Sequence, residues 1–228
     1  NYARRISAAQ MIDDVHTLAP QPPAHVFFSV NPGGQLAADG RTVWSFEKSK
    51  LGMKEETLFS LCRGLVSGST ETMGLAVFLR DQETEPLRFY AAMELLLRLA
   101  VRMQAELGVQ IDSLLISGGL GVSYRSGDCA PNLEEVSALV QKSYEEILTP
   151  AGLRPKLLLA EGRLLAAKAG ALVTRVLAVK QQQTPLVMLD ADCAQFLREI
   201  AFGANHRLTA PLAPESRPKR MVRVAGAL

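Results

Sequence analysis

Short β-type apolar runs alternate with longer amphipathic stretches along most of this chain, and this alternation limits the fold more than any other feature. The first run, His25 to Val30, is closed by the turn sequence Asn31-Pro32-Gly33-Gly34. Gly74 to Leu79 and Ile111 to Ser117 are runs of the same kind. Between them, Leu87 to Leu107 carries apolar residues at the i, i+3, i+4 spacing of a helix with one buried face. The alternation predicts an α/β fold with parallel strands.

The pattern continues in the second half of the chain. Asn132 with Glu135 forms a capping box, which predicts that a helix begins there, and Lys156 to Ala160 is a further strand. The alanine-rich residues 166–181 fit a helix or a strand by pattern alone, and another strand is predicted at Pro185 to Ala191. The simplest architecture with this order of elements is a partial (β/α)8 TIM-type barrel.

Composition disfavours several classes of partner. The 25 basic and 23 acidic residues nearly cancel to a net charge of +2, so neither nucleic acid nor an acidic membrane surface is an expected partner. No apolar run has the length of a membrane span. The three cysteines have no CxxC spacing, which is typical of a reducing compartment, and we therefore expect a cytoplasmic protein.

The segment SGGLGVSY, from Ser117 to Tyr124, is the most informative cluster because it stands where a strand ends. Gly118, Gly119 and Gly121 allow backbone N–H groups to approach an anion, since no Cβ intervenes. The next strand runs into Ala160-Glu161-Gly162-Arg163, which adds a guanidinium able to bind two phosphate oxygens. Ligands of parallel barrels bind at the C-terminal ends of the strands, so the two exits together predict a phosphate site. The first cluster alone fits an ordinary glycine turn equally well.

Other chemistries are matched poorly. Ser117 lacks both the GxSxG elbow and a paired histidine, which disfavours a hydrolase, and SGGLG is not the GxGxxG of a dinucleotide site. His16, His25 and His206 have no metal-ligand spacing, so we predict no metal site. Cys193 fits a small buried hydrophobic residue better than a nucleophile.

Six segments resemble, in one order, the landmarks of pyridoxal-phosphate-dependent decarboxylases with an alanine-racemase-like barrel, the family of diaminopimelate, ornithine and arginine decarboxylases. They are SKLGM (49–53), GLAVFLRDQ (74–82), LLISGGLGVSY (114–124), PKLLLAEGR (155–163), AGALVTRV (169–176) and residues 189–208. Diaminopimelate decarboxylases are the most similar members. The resemblance implies that residues 1–208 are the second half of the barrel. Residues 209–228 would then be a linker and the first strand of a C-terminal β-domain.

The resemblance also implies a cofactor, pyridoxal phosphate, and the residues that would meet it. The residues that match its cofactor-binding segments are Ser117, Gly118, Gly119, Gly121, Gly162 and Arg163, with Arg80 and Glu161 as further candidates. The family's Schiff-base lysine falls before the region that this chain matches, and its catalytic cysteine falls after it. No catalytic residue is therefore expected in this chain.

Three positions depart from the family pattern. Phe78 stands where a histidine stacks on the pyridine ring, and Asp81 stands where a serine holds the phosphate. A carboxylate at that position repels a phosphate by roughly 1 kcal/mol or more. Ala160 stands where a glutamate pairs with the protonated pyridine nitrogen, which keeps the ring a good electron sink. Glu161 is adjacent, but neighbouring residues of a strand face opposite sides.

Two functions stay open from the sequence. The first is a degenerate decarboxylase domain, a pseudoenzyme kept as a structural or interaction module. The second is an active pyridoxal-phosphate-dependent carboxy-lyase acting on a small amino acid, such as a diamino acid, with its lysine and cysteine outside this chain. The family builds its active sites at a dimer interface, so the resemblance implies a homodimer or a larger assembly in either case.

Overall fold

The computed structural model describes residues 25–31, 36–38, 41–44, 51–65, 72–79, 82–124, 127–195, 197, 201, 203, 206–214, 216, 218 and 220–226. The chain divides into two compact units, which are described separately below. The first comprises Asn1–Val122 with Cys129–Ala167, and the second comprises Ser123–Asp128 with Lys168–Leu228. Within the described ranges, no helix combines the length and the apolar character that a bilayer crossing requires.

A four-stranded parallel sheet forms the centre of the first unit. Its strands are β1 (His25–Ser29), β4 (Thr72–Phe78), β5 (Ile111–Ser117) and β6 (Lys156–Ala160), in the order β1-β4-β5-β6. An antiparallel ribbon of β2 (Leu36–Ala38) and β3 (Arg41–Trp44) lies between β1 and β4 in the chain. Each neighbouring pair in the larger sheet is parallel, which confirms the predicted α/β fold with a parallel sheet. Closure into a barrel stays a prediction.

Helices connect these strands. They are α1 (Glu55–Leu65), α2 (Pro86–Leu107), α3 (Leu133–Ser143), which continues into a π-helical turn (Tyr144–Leu148), and α4 (Gly162–Ala166). Pro86 suits the first position of α2 because its missing N–H would have no partner there, and Gly108 ends that helix with a φ of 67°. Asn132 caps α3 as predicted, because its side chain accepts hydrogen bonds from the N–H groups of Glu134 and Glu135.

One face of the parallel sheet packs against the helices. Leu75 and Val77 of β4 and Leu114 and Ile116 of β5 are completely buried, and they share one core with the apolar stripe of α2. That stripe includes Met93, Leu96, Leu97 and Ala100. The residues next to the buried positions of β4 and β5, such as Gly74, Phe78 and Ser117, belong to the other face because side chains alternate along a strand. On that other face Gly74 and Ala76 are buried, and the strand ends at Phe78 and Ser117 are partly exposed.

The second unit contains a separate three-stranded sheet. Its strands are β7 (Val176–Lys180), β8 (Leu186–Leu189) and β9 (Arg223–Ala225), in the order β7-β8-β9. β7 pairs antiparallel with β8, so the prediction of parallel strands is wrong here. Residues 181–185 connect the two strands, and a parallel crossover needs a dozen or more residues.

β9 lies within the segment predicted to begin a β-domain, and it pairs with β8 from within the predicted barrel segment. The assignment of residues 1–208 and 209–228 to different domains stays a prediction.

Candidate functional site

Three of the predicted positions lie side by side at the C-terminal edge of the parallel sheet. Phe78 pairs with Ser117, and Ser117 pairs with Ala160, so the three residues form one row across β4, β5 and β6. Paired residues of parallel strands face the same side of a sheet. Val77 and Ile116, which precede two of them, are buried toward the helices. The row therefore lies on the face opposite the one that packs against the helices.

The glycine turn follows this row immediately. Gly118 has a φ of 65° and Gly119 a φ of 115°, which are left-handed conformations that favour glycine. A Cβ on Gly118 would lie 2.8 Å from the carbonyl oxygen of Leu79, and a Cβ on Gly119 would lie 3.0 Å from a Leu79 methyl carbon. The turn therefore needs these glycines in order to approach the chain that leaves β4.

Backbone hydrogen bonds hold the exits of β4 and β5 together. The Leu79 N–H donates to the Ser117 carbonyl at 2.9 Å, and the Glu83 N–H donates to the Gly119 carbonyl at 2.6 Å. The Gly121 N–H donates to the Glu83 carbonyl, also at 2.6 Å. Gly121 was predicted as a cofactor-binding residue, but its N–H already has this backbone acceptor.

Gln82 is a site residue that sequence reasoning missed. Its Nε2 donates to the Val122 carbonyl at 2.5 Å, and its Oε1 accepts from the Val122 N–H at 3.3 Å. The same Oε1 accepts from an Nη atom of Arg163 at 3.1 Å. Gln82 closes the segment that resembles the family's strand landmark, and that position was the only signal for it in the sequence.

The neighbouring Glu83 was also not predicted. It is 6% exposed, and its carboxylate accepts from the Glu85 N–H at 3.0 Å and from Arg88 at 3.2 Å. These contacts hold the start of α2 against the chain that leaves β4. The Glu83 backbone also forms hydrogen bonds with the glycine turn. Glu83 therefore connects the start of α2 to that turn.

The exit of β6 brings the remaining predicted residues to the same edge. Ala160 is exposed, whereas Glu161 is only 6% exposed and leaves the strand with φ −106° and ψ 70°. Arg163 is partly buried and reaches Gln82. Gly162 starts α4, and a Cβ there would meet nothing within 4 Å, so packing does not explain its glycine.

Two predicted candidates, Arg80 and Asp81, lie outside the described residues. In the part of the chain that the structure covers, no three His, Cys, Asp or Glu side chains are grouped so that they could hold a metal ion. The described site therefore combines an aromatic ring, a hydroxyl, a glycine turn and a guanidinium at one edge of a parallel sheet.

Comparisons with known proteins identify the family of this chain. The family model described as "Pyridoxal-dependent decarboxylase, pyridoxal binding domain" matches residues 4–167. The match ends where the first compact unit ends. The chain is 28% identical over 206 residues to Protein TabA of Pseudomonas amygdali pv. tabaci, covering 90% of this chain and 48% of that protein. It is also 28% identical over 211 residues to diaminopimelate decarboxylase of Escherichia coli, covering 92% and 49%.

Solved structures show the same fold. The diaminopimelate decarboxylase structure from M. jannaschii aligns with a TM-score of 0.82 at 23% identity, covering 98% of this chain and 51% of that chain. The chain thus spans about half the length of the relatives it matches. The order of landmarks, the parallel sheet and the match over residues 4–167 lead to one conclusion. This chain belongs to the pyridoxal-dependent decarboxylase family, whose pyridoxal-binding domain its residues 4–167 match.

Proposed function

We propose that the chain is a decarboxylase-like domain that retains the phosphate-binding edge of its family and has lost the support for the cofactor ring. On this proposal it is a pseudoenzyme, kept as a structural or interaction module within a homodimer or a larger assembly. The observation that carries the proposal is the row of Phe78, Ser117 and Ala160, because it puts a methyl group where the resemblance implies a carboxylate.

The phosphate end of the cofactor fits the residues that are present. Gly118 and Gly119 keep side chains away from the turn, and Ser117 contributes a hydroxyl at its start. Arg163 lies at the neighbouring exit, and charge-assisted hydrogen bonds from a guanidinium to a phosphate are among the strongest in proteins. These four residues would hold the phosphate, with the turn supplying backbone donors and Arg163 supplying charge.

The ring end fits poorly. Pyridoxal phosphate, when bound, supplies an electron sink for the carbanion that loss of a carboxylate leaves behind. Phe78 can pack against a ring but has no hydrogen to donate to it. Ala160 can neither accept nor stabilise a proton at the pyridine nitrogen. On this proposal, the chain can bind the phosphate of the cofactor but cannot support the chemistry of its ring.

The test compares pyridoxal phosphate with pyridoxal, which lacks the phosphate, on the complete protein. We expect retention of pyridoxal phosphate after desalting and an affinity roughly 100-fold above that of pyridoxal, since two or more charge-assisted hydrogen bonds contribute. Arg163→Gln should remove most of the difference. Equal affinities for the two compounds would contradict a phosphate-binding edge.

A second candidate is an active decarboxylase in which Glu161 replaces the missing acid. One observation favours it, since Glu161 is 6% exposed although it follows the exposed Ala160. On this alternative the complete protein releases CO2 from a small amino acid, and Glu161→Gln abolishes that release while leaving pyridoxal phosphate bound. Release that survives Glu161→Gln would exclude this role for Glu161.

A further inference from the structure

Gln82 connects three parts of the site that are distant in sequence. Its side chain bonds both backbone groups of Val122, 40 residues away, and the guanidinium of Arg163, 81 residues away. Val122 ends the glycine turn, and Arg163 belongs to the exit of β6. One side chain therefore joins the exits of β4, β5 and β6.

The backbone of Gln82 is also unusual. Among the described residues other than glycine, it is the one with a positive φ, at 63°. A bulky side chain rarely adopts this conformation, and such residues persist where the surrounding structure holds them. The paired hydrogen bonds with Val122 provide that restraint, because they fix the carboxamide at both its donor and its acceptor.

Gly121 makes room for this arrangement. A Cβ there would lie 3.0 Å from the backbone carbonyl carbon of Gln82, 3.1 Å from the Glu83 oxygen and 3.2 Å from the Gln82 Cδ. Gly121, the third glycine of the turn, thus leaves space for the Gln82 side chain, and its own N–H donates to the Glu83 carbonyl. Packing against Gln82 and Glu83 therefore explains why residue 121 is a glycine, although the family resemblance assigns Gly121 to cofactor binding.

The carboxamide suits this position for a chemical reason. Nε2 must donate to the Val122 carbonyl while Oε1 accepts from the Val122 N–H and from Arg163. A carboxylate accepts but cannot donate, and asparagine is one methylene shorter. The amide oxygen also holds the guanidinium without adding a negative charge beside the proposed phosphate position.

We infer that Gln82 is the positioning residue of the phosphate-binding edge: it holds the Arg163 guanidinium and the turn from Ser117 to Val122 at one separation, so that both engage the same phosphate monoester. This inference rests on the proposed phosphate binding. The arginine supplies the charge, the turn supplies backbone donors, and Gln82 sets the distance between them.

The test uses Gln82→Asn, because asparagine tolerates a left-handed backbone better than glutamine and should not impair folding. The complete protein and its variants are titrated with pyridoxal phosphate and, separately, with inorganic phosphate. We expect Gln82→Asn to weaken both affinities on the order of 10-fold, through loss of the contact with Arg163. Gln110→Ala, at an exposed position before β5, is the matched control and should change neither affinity.

Gln82→Glu supplies a second readout. It keeps an acceptor for Arg163, loses the donor to Val122 and adds a charge, so we expect weaker phosphate binding than in the unaltered protein. Added salt should narrow that difference, because it screens the new charge. Amide exchange at Val122 should be faster in Gln82→Asn, which cannot reach the Val122 N–H, whereas Gln82→Glu keeps an acceptor for that N–H.

The outcomes are separable. If the unaltered protein binds the phosphate compounds and both Gln82 variants bind them equally well, the positioning role is wrong and the proposed function stands. If the unaltered protein binds neither compound, the proposed function and this inference both fail. Weaker binding in the variants, with unchanged binding in Gln110→Ala, supports the inference.

Discussion

Two glycines with nearly the same positive φ allow the packing of the glycine turn to be measured. Gly118 has a φ of 65° and Gly108 a φ of 67°. A Cβ on Gly118 would lie 2.8 Å from the Leu79 carbonyl oxygen, whereas a Cβ on Gly108 would meet nothing within 4 Å. Replacing each with alanine therefore imposes a left-handed φ on a residue with a Cβ in both variants, and a steric contact in only one.

The expected costs follow from these two situations. Gly108→Ala should lower the free energy of unfolding by about 1–2 kcal/mol, the cost of a left-handed conformation for a residue with a Cβ. Gly118→Ala carries that cost and must also displace the Leu79 carbonyl, and overpacking of this kind costs about 1–3 kcal/mol. The total for Gly118→Ala is about 2–5 kcal/mol, a large fraction of a domain stability of about 5–15 kcal/mol.

Both glycines belong to the first compact unit. Urea unfolding of the complete protein, followed by amide exchange in β5, therefore measures the free energy of unfolding of that unit in both variants. We expect Gly118→Ala to be less stable than Gly108→Ala by about 1–3 kcal/mol. It should also weaken pyridoxal phosphate binding, since the turn must move, and Gly108→Ala should not. Equal stabilities for the two variants would refute the close approach of the turn to the chain leaving β4.

Three further predictions concern a helix cap, a thiol and a carboxylate. Asn132→Ala should destabilise α3 by about 1 kcal/mol in urea unfolding, whereas Asn132→Ser should change little, and equal losses would argue against the side-chain cap. Burial raises the pKa of the Cys62 thiol to about 12. Alkylation at pH 8, followed by mass spectrometry, should therefore modify the exposed Cys129 and spare Cys62. Comparable alkylation rates for the two cysteines would contradict the burial of Cys62. Hydrogen bonds from the Thr174 hydroxyl and then the Arg175 N–H hold the pKa of Asp190 below its usual range. The resulting stabilisation is present above the unfolded pKa and is lost as pH falls through the lower folded value. The protection factors of amides in β7 and β8, which correct for the intrinsic pH dependence of exchange, should fall with acid in the unaltered protein and vary less with pH in Asp190→Asn.

Local patterns predicted much of the fold. Ile111 to Ser117 and Lys156 to Ala160 are strands with the predicted bounds, and the helix expected from Leu87 begins one residue earlier, at Pro86. These elements were readable because their periodicity, caps and terminating glycine all lie within the elements or beside them. The direction of β7 was missed because a strand's apolar pattern does not state whether its neighbour runs parallel or antiparallel. The short connection after Lys180 was the feature that indicated an antiparallel pair.

The site was predictable only in part. The glycine turn and Arg163 stand out because residue type alone indicates their chemistry. Gln82 does not, since its role depends on a positive φ and on partners 40 and 81 residues away. Nothing in the sequence pattern distinguishes Gln82 from other glutamines, whereas in the fold its side chain connects the ends of three strands.

The expected homodimer or larger assembly, the cytoplasmic location and the identity of a small amino-acid substrate stay predictions. A sedimentation measurement on the complete protein addresses the first of them directly. Association should persist without pyridoxal phosphate if the domain serves a structural role.

The most direct test of the central claim is the rate of CO2 release by the complete protein, incubated with saturating pyridoxal phosphate and a panel of diamino acids. Because Ala160 stands where the family resemblance implies the ring-supporting acid, we predict that the bound cofactor produces no release above that of a heat-denatured control. Release that depends on both the cofactor and the folded protein would contradict the claim that this domain has lost catalysis.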